Sequence, residues 1–159
     1  MHELETAIDI DAPADVVWAV LTDFDAYPEW NRYTRVDGEA VAGTTLEVAP
    51  GPDANRVPTF RPEILRADGG ELRWLGHLIV PGLFDGEHRF VVEPLDGDRS
   101  RLVQSEQFRG LLVRPVLWYA GADTEATFEA VNRAVKARAE ALAADIGGDG
   151  PRGDRAPAA

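Results

Sequence analysis

The sequence predicts an α+β fold: seven antiparallel strands, two short helices after the first of them, and one long C-terminal helix. Three observations carry this. Apolar residues alternate with period two at the start of the chain, six further strand-like segments follow between turn formers, and helical spacing takes over after Asp123. No helical stretch interrupts the six strands, so the sheet is expected to be an antiparallel meander.

In order, Leu4, Thr6, Ile8 and Ile10 alternate with Glu3, Glu5, Ala7 and Asp9, which reads as a half-buried strand over residues 3–11. Asp11-Ala12-Pro13 reads as a helix start, with Asp11 as cap and Pro13 in the first turn. Val16, Val17, Val20 and Leu21 give that helix, near 13–21, its apolar face. Thr22 and Asp23 close it and cap a second short helix at 25–31. Strands are then expected at 33–39, 44–49, 57–67, 71–80, 86–95 and 101–108. Pro58 and Pro62 mark the third of these as irregular or an edge, and Asp96-Gly97-Asp98 joins the last two as a hairpin. Phe128, Val131, Val135, Leu142 and Ile146 share one helical face, with Asp123 as a cap and Glu125 and Glu129 suiting the dipole. Leu111–Tyr119 is apolar and interrupted by Pro115 and Gly121. The segment 147–159 has neither periodicity nor apolar mass, and is expected to be a disordered tail behind a single domain at 1–146.

Composition removes several function classes. The chain has 159 residues, 45% of them apolar, with 16 basic and 28 acidic side chains and a net charge of −12. With a pI near 4.6, nucleic acid is not an expected partner. The absence of cysteine excludes disulfides, thiolate metal sites and a thiol nucleophile. No apolar run approaches the ~20 residues of a membrane span. The acidic, alternating N-terminus is not a signal peptide, so a cytoplasmic protein is expected. Fifteen arginines against the single Lys136 fit either a salt-loving source, for which surface acidity maintains hydration, or GC-rich codon usage.

Local wording goes further. Ile10-Asp11-Ala12-Pro13 followed by Val16-Val17-Trp18, then Thr22-Asp23-Phe24 through Tyr27-Pro28-Glu29-Trp30-Asn31, resemble the opening phrases of the START-like (SRPBCC) superfamily. Pro81–Phe90 and Gln104–Leu112 resemble a bacterial and archaeal subgroup of the same superfamily. The resemblance spans residues 3–146 and implies the helix-grip fold, a sheet of seven strands wrapped around the C-terminal helix with a cavity between them. Members include polyketide cyclases, lipid-transfer domains and pollen-allergen-type proteins. The resemblance implies a small apolar or amphipathic, lipid- or polyketide-like ligand, and it supplies no shared catalytic motif.

Strand parity selects the candidate residues. If Trp74, Phe90 and Phe108 face inward, His88, Gln104 and Glu106 do too, and polar groups on such a face are costly unless paired or wet. The expected ligand-binding set is Trp30, Trp74, His88, Phe90, Gln104, Glu106, Phe108, Trp118 and Phe128. His88 and Glu106 are the catalytic candidates, although a satisfied structural pair fits the same pattern. His77 is expected in solvent and His2 in a fraying terminus. Trp118 and Tyr119 read either as packing between helix and sheet or as a gate. Three scattered histidines make no metal site, and no Gly-x-Ser-x-Gly elbow or phosphate loop occurs, so neither metal nor cofactor is expected. Three functions remain: a binding or carrier protein, a cyclase/dehydratase-type enzyme using the same cavity, or a protein-interaction module with an exposed apolar patch near Trp118. A monomer or a homodimer is compatible with each.

Overall fold

The computed structural model describes residues 1–54 and 58–148. Strand β1 (His2–Ile10) leads into helix α1 (Ala14–Thr22), a 3-10 turn (Phe24–Ala26) and the short helix α2 (Tyr27–Trp30). Six strands follow: β2 (Thr34–Asp37), β3 (Glu47–Pro50), β4 (Glu63–Asp68), β5 (Glu71–His77), β6 (Asp85–Pro94) and β7 (Ser100–Arg109). Helix α3 (Val113–Gly148) ends the described chain.

All strand pairs are antiparallel, but they do not form one sheet of seven. The main sheet has five strands in the order β1-β7-β6-β5-β4, and β2 pairs with β3 in a sheet of two. The prolines explain the break. Pro62 has no N–H to donate, so the contact between residues 43–48 and 60–64 reduces to two isolated bridges, Thr45–Glu63 and Val48–Phe60. Backbone bonds such as Leu46 N–H to Pro62 O (2.9 Å) still tie the two sheets together. Val57, expected in a strand, lies outside the described residues.

Helix starts also differ from expectation. Pro13, not Asp11, precedes the first turn of α1, and no side chain caps it; the Pro13 carbonyl accepts from Val16 and Val17. Asp11 takes Arg99 instead (2.9 Å), while its N–H donates to Glu140 on α3 (3.0 Å). Nor does Asp23 cap the turn after it with its side chain. Helix α3 starts ten residues before Asp123, because Pro115 falls in the first turn, where its missing N–H costs nothing. Asp123 is therefore interior, and its carbonyl accepts from the Thr127 hydroxyl (2.7 Å). Ile146 is 70% exposed rather than on the buried face. The helix takes in Gly147 and Gly148, and the rest of the expected tail lies outside the described residues.

Strand β5 stops at His77 instead of Val80. Ile79 turns the chain at φ +71°, a conformation that β-branched residues rarely adopt. His2 is not frayed; it pairs with Phe108 and its ring lies 6.4 Å from that of Phe108.

Alternation sorts the two faces of the main sheet. Ile10, Ile64, Leu72, Phe90, Val92 and Leu102 form the core with Val17, Val20 and Leu21 of α1 and Val131, Val135 and Ala139 of α3. Each fully buried aliphatic side chain among them contributes about 1.5–3 kcal/mol. On the other face, Glu71 accepts from Arg89 at 3.0 Å and meets Arg66 and Arg73 at 3.3 and 3.5 Å. These cations, Arg89 first, hold the Glu71 carboxyl below its ordinary range.

Candidate functional site

Antiparallel register stacks the candidate residues in rows across four strands. Trp74, His88, Glu106 and Leu4 are successive cross-strand partners on β5, β6, β7 and β1. The next row is Leu72, Phe90, Gln104 and Thr6. Directly opposed residues on one face lie about 5 Å apart, so an imidazole and a carboxylate in one row are within reach of each other.

They do meet. His88 Nδ1 lies 3.2 Å from Glu106 Oε2, and Gln104 Nε2 lies 3.0 Å from His88 Nε2. An amide nitrogen only donates, so Nε2 of His88 is the acceptor and Nδ1 carries the proton toward Glu106. Both imidazole nitrogens are thereby engaged. Aromatic rings surround it. Trp74 stacks on it at 5.2 Å with a 22° tilt, Phe90 lies at 4.6 Å, and Phe128 of α3 meets it edge-on at 5.0 Å. Glu106 keeps 18% of its side chain exposed, while His88 and Gln104 are buried.

A glycine makes room for the carboxylate. A Cβ at Gly86 would lie 2.7 Å from Glu106 Oε1, so this oxygen rests over the bare backbone of β6. Its opposite number on β5 is also glycine, Gly76. Below the first row, Asn132 of α3 donates to Thr6 Oγ1 at 2.9 Å. Neither Asn132 nor Gly86 was singled out from sequence. The only signal for Asn132 was a short amide four residues after Phe128, among Val131 and Val135.

The remaining candidates are spread wider. Phe108 is buried against Phe84 (5.4 Å) in the adjoining row, opposite Gly86. Trp30 is half-buried and packs on Tyr27 (4.8 Å). Trp118 joins none of these residues; it is 89% exposed, so it does not pack helix against sheet. Leu111, Tyr119 and Ile79 are also exposed, and Leu111 and Leu112 donate to Gly82 and Leu83, which ties the entry to α3 to the β5–β6 loop. His77 bonds Asp85 (2.7 Å) rather than solvent alone. That ring and the Gly82 N–H hold the Asp85 carboxyl below its ordinary range and pin the loop.

Two open clefts, of about 260 and 290 Å³, lie against β2 and β3 and are lined by residues such as Phe24, Arg35, Asp37 and Arg61. Neither includes His88 or its neighbours. Among the described residues no cluster of three or more metal-ligating side chains occurs, and no helix is long and apolar enough to cross a membrane.

A protein family described as polyketide cyclase/dehydrase and lipid transport matches residues 1–147. No curated protein matches the chain. Among solved structures, the Zhui aromatase/cyclase of a Streptomyces species is similar at 20% identity and a TM-score of 0.69, covering 87% of this chain and 93% of that one. A norcoclaurine synthase from Thalictrum flavum shares 13% identity at a TM-score of 0.69, covering 89% and 95%. A START superfamily protein from Mycobacterium smegmatis shares 16% identity at a TM-score of 0.60, covering 92% and 99%. At these identities the likeness shows the fold alone: a long C-terminal helix on an antiparallel sheet.

Proposed function

Because the chain belongs to the polyketide cyclase/dehydrase and lipid transport family, we propose that it binds or carries a small apolar or amphipathic molecule between the main sheet and α3. Trp74, Phe90 and Phe128 form the apolar wall, Phe108 borders it, and Gln104, His88 and Glu106 orient one polar end of the ligand. The observation that carries this reading is the hydrogen-bonded chain Gln104–His88–Glu106 set among aromatic rings. Burying His88 and Gln104 beside a largely covered Glu106 in such surroundings is costly, and an apolar core of the same volume would be at least as stable. A ligand with one polar end gives the chain a purpose that packing does not.

Native mass spectrometry of the purified protein tests this. The wild type is expected to retain a small molecule. Glu106→Gln and His88→Ala are expected to lose it while melting within a few degrees of wild type. Retention unchanged in both variants overturns the assignment.

The His88–Glu106 pair also supports a second reading, a cyclase/dehydratase-type enzyme in which a carboxylate-oriented imidazole moves a proton. Against it, the Gln104 amide occupies the Nε2 lone pair, so proton abstraction requires Gln104 to swing away first. Turnover of a poly-β-ketone that disappears in His88→Ala would favour the enzyme over the carrier.

A further inference from the structure

The polar atoms of this interior also specify the ligand's polar end, an inference that rests on the binding role above. Gln104 and Asn132 are 2% and 1% exposed, and each spends its amide nitrogen on a neighbour, His88 and Thr6 respectively. Their oxygens, Gln104 Oε1 and Asn132 Oδ1, are buried with no hydrogen-bond partner. The two amides sit on either side of Thr6, which is the cross-strand partner of Gln104 and the acceptor for Asn132. Buried acceptors are almost always satisfied in folded proteins, so two orphans beside one side chain call for a donor.

Glu106 adds a third oxygen. Its Oε2 faces His88, while Oε1 lies over Gly86. His88 has no donor left to offer, since its one N–H is directed at Glu106. The nearby cations are turned away: Arg73 and Arg89 alternate to the opposite face and are engaged with Glu71 and Glu87. What this interior has left to give is therefore acceptor oxygens beside a carboxylate, with no Lys or Arg among the described residues bonded to the group.

We propose that the site selects ligands whose polar end donates hydrogen bonds, as a phenol, alcohol or ammonium group does, and rejects those ending in a carboxylate or phosphate. A donor satisfies the orphaned oxygens of Gln104 and Asn132. An anionic end meets three acceptors and a like charge in a water-poor space, where repulsion is poorly screened.

Calorimetric titration of the full chain with naphthol and naphthoate at neutral pH tests this, because the two probes share a ring system and differ in the polar end. Naphthol is expected to bind at least tenfold more tightly. In Asn132→Leu and Gln104→Leu that ratio is expected to fall toward unity. Naphthoate binding as tightly as naphthol, or more so, overturns the selectivity and leaves the binding role standing. A ratio unchanged in the folded variants also overturns it, since the oxygens then hold only structural water. If the leucine variants do not fold, the wild-type ratio alone decides. If neither probe binds, the selectivity and the binding role fall together.

Discussion

His88 is held from both sides, and its tautomer follows from the partner that has no choice: the Gln104 amide nitrogen must donate. The other partner depends on a residue with no side chain. Gly86→Ala is expected to push Glu106 off His88, because the new methyl would lie 2.7 Å from Oε1. A carboxylate is the far end of a flexible side chain, so it yields without much loss of stability. The variant should melt close to wild type yet lose ligand retention as Glu106→Gln does; native mass spectrometry beside a melting curve checks both. The common face of His88, Gln104 and Glu106 was legible because strand alternation is rigid. Asn132 was not, since a helix presents a wide apolar stripe and its rotation is set only when Phe128 and Val135 dock on the sheet. Gly86 was not either, because its role exists only once Glu106 lies across from it.

Among elements, strands and hairpins were readable wherever turn residues bounded them, as at Asp96-Gly97-Asp98, where Leu95 N–H closes on Arg99 O at 2.9 Å. Partition into two sheets was not, because it depends on which neighbour Pro62 meets rather than on local pattern. The start of α3 was missed for a related reason. Pro115 reads as a breaker in isolation and is harmless in a first turn. This changes what the aromatic residues there do for stability. Trp118→Ser is expected to alter unfolding free energy by no more than about 0.5 kcal/mol, as an exposed position allows. Leu102→Ala, on β7 with no exposed surface, should cost about 2–5 kcal/mol. Denaturant titration of the two variants checks the contrast. A large loss from Trp118→Ser would mean that it packs after all.

For the whole molecule, the −12 charge and the carboxylates paired to cations set the response to acid. Glu71 has its folded pKa held below the ordinary 4.5, by Arg89 first and then by Arg73 and Arg66. Its stabilisation is therefore complete above the ordinary value and is lost as pH falls through the depressed folded value. Glu71→Gln should cost about 1–3 kcal/mol at neutral pH, the worth of hydrogen bonds to a charged group. As pH falls from the ordinary value through the depressed one, the gap between variant and wild type should narrow, because the wild-type carboxyl then takes up its proton. Melting temperatures across that range give the answer, and a gap that widens in acid would refute it. A different consequence follows from the pairing of β1 with β7, in which even the near partners Asp9 and Arg101 lie 92 positions apart along the chain. While the protein is being made, β1 waits without its partner until β7 has left the ribosome, about 5–20 s later at ordinary elongation rates. Nascent chains stalled after β6 should leave β1 open to protease, and chains carrying β7 and α3 clear of the exit tunnel should protect it. The first strand written into the sequence is thus among the last to find its place, and a chaperone that guards the waiting strand would act in that interval.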